Sequence, residues 1–384
     1  MVATPRNVES YSSSLVVPPG KTPMQFREDP SAKLAWMQLR QLTDDGHTGL
    51  ALFNGTRREK NTLFNDLRNY VRQAKTYWDA ASRTDGSAAA LPLYYAMLNL
   101  AKAELLQTHH THIVGKFIRH GLSMRASASA SIRGDRLLTE SGVFSLLYEK
   151  RVGKAIPSGT SLRVTNLLSL IPEIGHEMGQ FGRARPPAIP AFHTVATNGE
   201  AAWSLILIES YPPLDRNESV TKALYRHYDE ISLSAVPEWR QLFSLSSRIR
   251  GNWMALYQSK REFSLAAAGG NNTPDLASAT SLPNVAFGTA TATTTSERSE
   301  FLLTPSLTKT RPLALPLSLA RYASTFYLSS LVRYKPSSLD PVRQGEQAWL
   351  MDSFIEEVSL NLLADATDGV TGKATYFEPQ RFRV

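Results

Sequence analysis

Apolar residues recur at three- and four-residue intervals along several segments, and this period predicts amphipathic helices. The clearest segment runs from Leu63 to Ala81, and a second begins near Pro92 and reaches about Gln107. Only a short Asp-Gly-Ser break separates the two segments, so we expect the two helices to pack antiparallel as a hairpin.

Five further helices are predicted from the same periodicity. They cover Lys33 to Leu42, Thr165 to Leu170 with Thr165 as the N-cap, Pro237 to about Phe263, Leu317 to just before Pro336, and Val342 to Leu363. The Pro237 helix would carry Trp239, Trp253, Leu256 and Tyr257 on its apolar side, and the last helix would bury Trp349, Phe354, Val358 and Leu362.

A strand pattern interrupts the helices. The segments Phe192 to Thr197 and Trp203 to Ser210 read as strands, and the second is apolar on both faces, which predicts a strand covered on both sides. Serine and alanine alternate from Ala126 to Ile132, where we expect a loop or a short ribbon. The predicted fold class is therefore mainly α, a multi-helix body with antiparallel helical hairpins and a small inserted β-sheet.

The chain is too long for one compact core, since its 384 residues exceed the usual size of a single domain. We divide it into an N-terminal arm (1–45), a helical hairpin module with a basic window (46–160), a small β-containing segment (161–215), a long helix module (216–263), a low-complexity insertion (264–300) and a C-terminal helical module (301–384). Within the insertion, Asp275 is the only charged residue from Ser264 to Ser296.

Composition excludes several classes of protein. The absence of cysteine removes disulfides, thiolate nucleophiles and cysteine-ligated metal sites. No uninterrupted apolar stretch reaches the length of a membrane span, and residues 1–20 lack the order of a signal peptide. The expected location is the cytoplasm, with no membrane partner.

Basic residues outnumber acidic ones by 42 to 34, and one window concentrates this excess. The basic window contains Lys116, Arg119, Arg125, Arg133, Arg136, Lys150, Arg151 and Lys154, against only Asp135, Glu140 and Glu149. If these residues share a face they would track the phosphates of a nucleic acid, whereas the alternative is a solvated surface with a mobile loop. Aromatic residues for base stacking are few, namely Phe117, Phe144 and Tyr148.

Several fragments resemble catalytic motifs but fail on spacing. Pro19 to Thr22 ends like a phosphate-binding loop, yet Leu15 stands where the first glycine is needed. His176 begins a zinc-protease pattern that lacks its second histidine, because Gln180 occupies that position. The trio His109, His110 and His112 is better explained as a helix end than as a metal site. We therefore predict no metal and no cofactor.

Four local patterns, in order, resemble the YaaC-like family of bacterial proteins over roughly residues 60–360. They are Leu93 to Ala103, His120 to Leu122, Leu168 to Glu173, and Leu328 to Pro336. The resemblance implies a mostly helical, cytoplasmic bacterial protein and does not imply a particular reaction.

Polar residues within these patterns are candidate site residues. Asn99 and Lys102 fall on or beside the core-facing side of a helix, where they would satisfy backbone groups of a neighbouring helix. His120 beside Arg119 would carry a proton or bind phosphate, and Arg333 next to Tyr334 would stack or bind an anion. The alternative is a purely structural polar network.

Helical hairpins also resemble the HEPN group, whose ribonucleases place an arginine and a histidine on one helix. Only Arg40 and His47 come near that spacing, and the intervening Asp-Asp-Gly predicts a turn, which counts against this mechanism.

Two functional hypotheses follow. The first is a non-enzymatic interaction or scaffold component of a bacterial complex, in phage defence by loose analogy, that contacts a partner protein or a nucleic acid through the basic window; a homo-oligomer is a further alternative. The second is a divergent HEPN-like ribonuclease or phosphodiesterase that uses His120, Arg119 and Arg333.

Overall fold

A computed structural model of the chain describes residues 10–12, 22–26, 32–127, 131–182, 189–197, 201–210, 224–231, 253–264, 291–292, 300–303, 313, 315–339 and 346–377. The helices within these ranges are α1 (Ala32–Asp44), α2 (Gly46–Ala51), α3 (Arg57–Ala81), α4 (Ala90–Leu105), α5 (His110–Ile113), α6 (Val143–Val152), α7 (Val164–Leu168), α8 (Gly175–Gly182), α9 (Leu317–Tyr334) and α10 (Glu346–Thr371). The strands are β1 (Ser10–Ser12), β2 (Thr22–Phe26), β3 (His120–Arg125), β4 (Arg136–Gly142), β5 (Ser161–Arg163), β6 (Ile189–Thr197), β7 (Ala201–Ser210), β8 (Tyr228–Ile231), β9 (Trp253–Ser259), β10 (Phe263–Ser264), β11 (Thr291–Ala292), β12 (Glu300–Leu303) and β13 (Lys373–Phe377).

The chain folds as two compact units. A helical unit comprises residues 28–186 and 316–375, and a sheet-bearing unit comprises residues 1–27, 187–315 and 376–384. The prediction of a mainly α fold with an inserted β-sheet is confirmed. The six-segment division is finer than these two units and stays a prediction.

The predicted helical hairpin is formed by α3 and α4. A capping box starts α3, in which the Glu59 N–H donates to the Thr56 hydroxyl at 3.3 Å and the Thr56 N–H donates to the Glu59 carboxylate at 2.8 Å. Leu63, Leu67 and Val71 form the buried stripe of α3 against α4. The three- to four-residue period thus correctly located both helices and the face by which α3 packs.

Helices α4 and α9 form the centre of the helical unit. Both are buried over most of their surface, α4 packs on α3, α9 and α10, and burial of each large apolar side chain stabilises the unit by about 1.5–3 kcal/mol. Small polar residues of α9 are accommodated because their hydroxyls return to the backbone: Ser329 and Ser330 both donate to the Phe326 carbonyl, at 2.8 and 2.9 Å.

The sheet-bearing unit contains an eight-stranded antiparallel sheet. Its main path runs β11-β12-β6-β7-β9-β8, while β1 also pairs with β6 and β10 also pairs with β7. Strand β7 is buried on both faces from Ala201 to Ile208, as its doubly apolar sequence predicted. At its centre, the hydroxyls of Ser204 and Tyr228 lie 3.1 Å apart in a buried hydrogen bond.

The prediction of a helix from Pro237 to about Phe263 is wrong for its last part, because Trp253–Ser259 is strand β9 between β7 and β8. Residues Ala255 to Ser259 are all buried, so this strand is covered on both faces and lacks the apolar–polar alternation that identifies a half-exposed strand. The earlier part of the predicted helix, and most of the low-complexity insertion, lie outside the described residues.

Smaller expectations also need correction. Helix α7 begins at Val164 after Arg163 and no side chain caps it, so Thr165 is not the N-cap. Helix α10 extends to Thr371, and Phe354, Val358 and Leu362 are buried as predicted, but Trp349 near the start of α10 is 42% exposed. No helix in the described ranges is long and apolar enough to span a membrane.

Candidate functional site

Three arginines face one another across the small sheet β3-β4-β5 of the helical unit. In the antiparallel register, Arg125 lies opposite Arg136 and Arg136 lies opposite Arg163. All three residues are exposed, while Leu137 and Leu162, their neighbours along β4 and β5, are buried. Because adjacent strands are about 4.8 Å apart, the three Cα atoms span roughly 10 Å; we call these residues the arginine row.

The arginine row forms no ion pair within the described part of the chain. None of its three guanidinium groups forms an ion pair with a described carboxylate. The carboxylate next to Arg136 in sequence is already occupied, since the Asp135 side chain is buried and accepts hydrogen bonds from the Ser127 N–H and the Tyr327 hydroxyl, both at 2.6 Å. These bonds fix the start of β4 on α9 and leave the row positively charged.

Replacing Arg136 by threonine is expected to stabilise the helical unit by about 0.2–1 kcal/mol. Like charges directly opposite each other destabilise a sheet, and Arg136 lies between Arg125 and Arg163. Threonine removes this repulsion and is itself favoured in strands. Thermal unfolding measured by circular dichroism would show a small rise in melting temperature. The control is Arg72→Thr at an exposed position of α3. This change relieves no repulsion in the sheet, and a β-branched residue in a helix is expected to lower the melting temperature. An equal rise in melting temperature in both variants would contradict the argument.

The rest of the basic window divides into two groups. Lys116, Arg119, Arg133 and Lys154 are exposed on the segments around β3, β4 and α6. Lys150 and Arg151 instead point inward from α6 and form ion pairs with the buried Glu104 of α4. The eight basic residues therefore do not share one surface, and the exposed residues lie on and around the small sheet.

A second cluster surrounds His120, the first residue of β3. Gly121 follows it in a left-handed conformation (φ +80°) at an irregularity in the β3-β4 ladder, and a Cβ atom there would lie 2.8 Å from the Phe144 nitrogen. Only glycine fits this close approach. The bulge presents the His120 ring to α4 and α9, where its Nδ1 lies 2.9 Å from the Tyr94 hydroxyl and its centroid lies 5.9 Å from that of Phe326.

The charges around His120 are all positive. Partial burial lowers the pKa of His120, and the positive charges of Arg333 and Lys102 lower it further. Burial also lowers the pKa of Lys102, whose ammonium lies 5.8 Å from the centre of the Tyr70 ring. His120, Lys102 and Arg333 are each partly buried, and we refer to these three residues together as the His120 cluster.

The remaining candidate residues have structural or exposed positions. The Asn99 amide donates to the Tyr95 carbonyl of its own helix at 2.8 Å, and Lys102 forms no hydrogen bond with a described residue, so the expectation that they bond a neighbouring helix was wrong. Tyr334 is exposed, and the Arg333 guanidinium stacks over its ring at 5.1 Å. Arg119 is exposed beside His120.

Two alternatives from the sequence receive no support from the geometry. Arg40 lies on α1 and is paired with Asp44 at 3.1 Å, while His47 lies on α2 beyond the Asp45 cap, so the two do not share a helix. Within the described ranges, no three histidine, aspartate or glutamate side chains converge in a manner suited to a metal, the histidines after α4 included. Burial lowers the pKa of His109, which lies 4.0 Å from the Glu149 carboxylate.

The sequence did not identify Arg163 as a site residue, nor the residues that contact the His120 ring. Arg163 ends a strand of only three residues, too short for an alternation pattern to reveal. Tyr94 and Phe326 have the spacing of ordinary core residues, and only the fold shows that they contact His120.

Three of the four local patterns identified in the sequence contribute a residue to the His120 cluster, since Lys102 comes from the first pattern, His120 from the second and Arg333 from the last. No curated protein and no solved structure gives a significant match to the chain. A family model described as YaaC-like protein matches residues 54–366, most of the chain. The chain therefore belongs to the YaaC-like protein family.

Proposed function

We propose that this protein is a nucleic-acid-binding component of a larger complex and that the arginine row contacts the phosphate backbone. The observation that carries the proposal is the register itself, which aligns Arg125, Arg136 and Arg163 across three strands, and none of the three forms an ion pair with a described carboxylate. The alignment costs stability. A polyanion would offset that cost, because phosphates pair with guanidinium groups through strong, charge-assisted hydrogen bonds.

Nucleic acid fits this surface better than an acidic protein does. The three arginines occupy directly opposite positions on adjacent strands of one sheet, and exposed basic residues flank them at Arg119 and Arg133. A phosphate backbone repeats one charge at regular intervals, and contacts of this kind position a nucleic acid without reading its sequence. We therefore expect binding that is strongly salt-dependent and weakly sequence-dependent.

The triple variant Arg125→Gln/Arg136→Gln/Arg163→Gln tests the proposal. Fluorescence anisotropy with a labelled single-stranded RNA of about 20 nucleotides is expected to show affinity falling about tenfold or more at low salt. The slope of log affinity against log salt is expected to decrease by about 2, since each lost phosphate contact removes roughly 0.7.

A matched triple variant separates local from global charge. Arg57→Gln/Arg58→Gln/Arg72→Gln removes the same net charge from exposed positions of α3 and is expected to retain most of the affinity. Equal losses of RNA affinity in the two variants would show that net charge, and not the arginine row, determines binding. Absence of binding to single-stranded RNA and to duplex DNA at low salt would overturn the proposal and leave an acidic protein partner as the occupant.

The hydrolase alternative is tested with the same RNA. If His120 acts as a general base, the labelled RNA is cleaved and His120→Ala abolishes the cleavage, whereas a binding component leaves the RNA intact. Participation in phage defence stays a prediction, and the neighbouring genes would test it.

A further inference from the structure

The arginine row lies at one end of the small sheet, because it comprises the last residue of β3, the first of β4 and the last of β5. The C-terminal end of α9 is bonded to the same end of the sheet. Lys335, the residue after α9, donates from its ammonium to the Ser127 carbonyl at 2.9 Å. Ser127 follows Arg125 by two residues, at most about 7 Å of chain, and its N–H donates to Asp135, the residue before Arg136, at 2.6 Å. These bonds fix the end of α9 beside the arginine row.

Tyr334 is the last residue of α9, and it is 69% exposed. It comes two helical turns after Tyr327, so the two residues lie on one face of α9. Tyr327 directs that face toward the start of β4, since its hydroxyl donates to Asp135 at 2.6 Å. The Arg333 guanidinium lies over the Tyr334 ring, 5.1 Å from its centre. An accessible aromatic ring with a cation stacked on it therefore stands next to the arginine row.

A row of cations beside an accessible aromatic ring suits a single strand of nucleic acid. The cations pair with phosphates, and the ring stacks on an unpaired base, whatever the base, because every base has a π-face. In a duplex the bases are stacked on one another and present only their edges in the grooves, so an aromatic ring at the surface gains no base to stack on. A stacked guanidinium strengthens such a platform through its cation–π interaction.

We propose that Tyr334 stacks on an unpaired base while the arginine row binds neighbouring phosphates, so that this surface takes single-stranded nucleic acid. The inference rests on the proposed function, because Tyr334 adds a base contact to a strand that the arginine row holds by its phosphates. Arg333 keeps its guanidinium on the ring and positions it for stacking. Tyr334 is thus the residue that distinguishes a single strand from other polyanions at this surface.

The test separates bases from charge by means of three ligands of equal length: a labelled single-stranded RNA, its duplex, and an abasic strand with the same sugar-phosphate backbone. By fluorescence anisotropy at low salt, Tyr334→Ala is expected to weaken binding of the single strand about fivefold or more, as for the loss of one stacked base. Binding of the abasic strand and of the duplex is expected to change by less than about twofold, because neither offers a base to the ring. Tyr334→Phe keeps the ring and is expected to retain the affinity of the single strand.

Phe117 provides the matched control. It is 93% exposed and precedes β3 by three residues, whereas Arg125 ends that strand, roughly 17 Å from its start. Phe117→Ala therefore removes an exposed ring of similar size away from the arginine row, and is expected to leave the single-strand affinity within about twofold. Equal losses in Phe117→Ala and Tyr334→Ala, or an equal effect of Tyr334→Ala on the single strand and the abasic strand, would overturn the proposal. Circular dichroism during heating shows whether each variant remains folded.

The salt dependence distinguishes this inference from the function on which it rests. Tyr334→Ala removes no charge, so the slope of log affinity against log salt is expected to stay at its original value, in contrast to the triple variant of the arginine row. If RNA binds with that slope but Tyr334→Ala binds the single strand as tightly as the original protein, stacking is overturned and the proposed function stands. If no nucleic acid binds at low salt, the proposed function fails and the stacking inference fails with it.

Discussion

Replacement of Glu104 by glutamine is expected to lower the melting temperature of the helical unit by about 10 °C. The Glu104 side chain is 2% exposed and accepts two hydrogen bonds from Arg151, at 3.2 Å from Nε and 2.6 Å from an Nη nitrogen. It also lies 3.9 Å from the Lys150 ammonium. Glutamine preserves the shape but leaves two inward-pointing cations with less compensation, a loss of about 3–5 kcal/mol.

The conversion from free energy to temperature follows from the size of the unit, in which 1 kcal/mol corresponds to about 2–4 °C. Circular dichroism during heating is the measurement. The control is Asp79→Asn, which removes an exposed pair with Lys75 at 2.7 Å on α3 and is expected to cost only about 0.3–0.5 kcal/mol.

A double variant checks the mechanism. Glu104→Gln/Arg151→Met removes both partners of the strongest contact, so its cost is expected to be smaller than the sum of the two single costs by about 0.5–3 kcal/mol. Strict additivity would show that the pair is not coupled, and a melting temperature of Glu104→Gln equal to that of Asp79→Asn would contradict the prediction altogether.

Replacement of Arg321 by methionine is expected to destabilise the helical unit by a similar amount, about 3–5 kcal/mol. The Arg321 side chain on α9 is 6% exposed and joins two carboxylates, those of Asp365 on α10 at 2.7 Å and Glu173. Asn361 also donates to Glu173, at 2.7 Å. Methionine fills much of the space but removes the guanidinium that joins the two carboxylates.

The matched control is Arg72→Met, because Arg72 is exposed on α3 and its loss is expected to change stability by less than about 0.5 kcal/mol. A conservative variant, Arg321→Lys, restores the charge but not the geometry that reaches both carboxylates, and is expected to fall between the two. If Arg321→Met melts with the control, the Arg321 network does not hold α9 to α10.

Local periodicity predicted the parts of the fold in which burial follows a helix or strand period. Leu63, Leu67 and Val71 recur at fixed spacing, and they define the packing face of α3. Periodicity gave the wrong element at β9, because Leu256 and Tyr257 fit a helical stripe as well as a buried strand. Trp349 was predicted to be buried because it is hydrophobic, but it lies near the start of α10 and is exposed.

The candidate sites were only partly visible in the sequence. Clustering of basic residues identified Arg125 and Arg136, but the inward turn of Lys150 and Arg151 depends on Glu104, which lies some 46 residues earlier. His120, Lys102 and Arg333 were identified separately. The contacts of His120 with Tyr94 and Phe326 are a tertiary property, because they depend on how β3, α4 and α9 pack, and no local pattern encodes them.

The insertion of the sheet-bearing unit between α8 and α9 has a consequence during synthesis on the ribosome. Helix α4 emerges early, but the helices that cover it, α9 and α10, are translated only after residues 187–315. At a translation rate of about 5–20 residues per second, the apolar surface around Tyr94 and Met97 therefore stays exposed for roughly 10–40 s. We therefore expect the nascent chain to engage a chaperone during this interval, and a chain truncated before Pro316 to aggregate rather than to accumulate as a folded fragment.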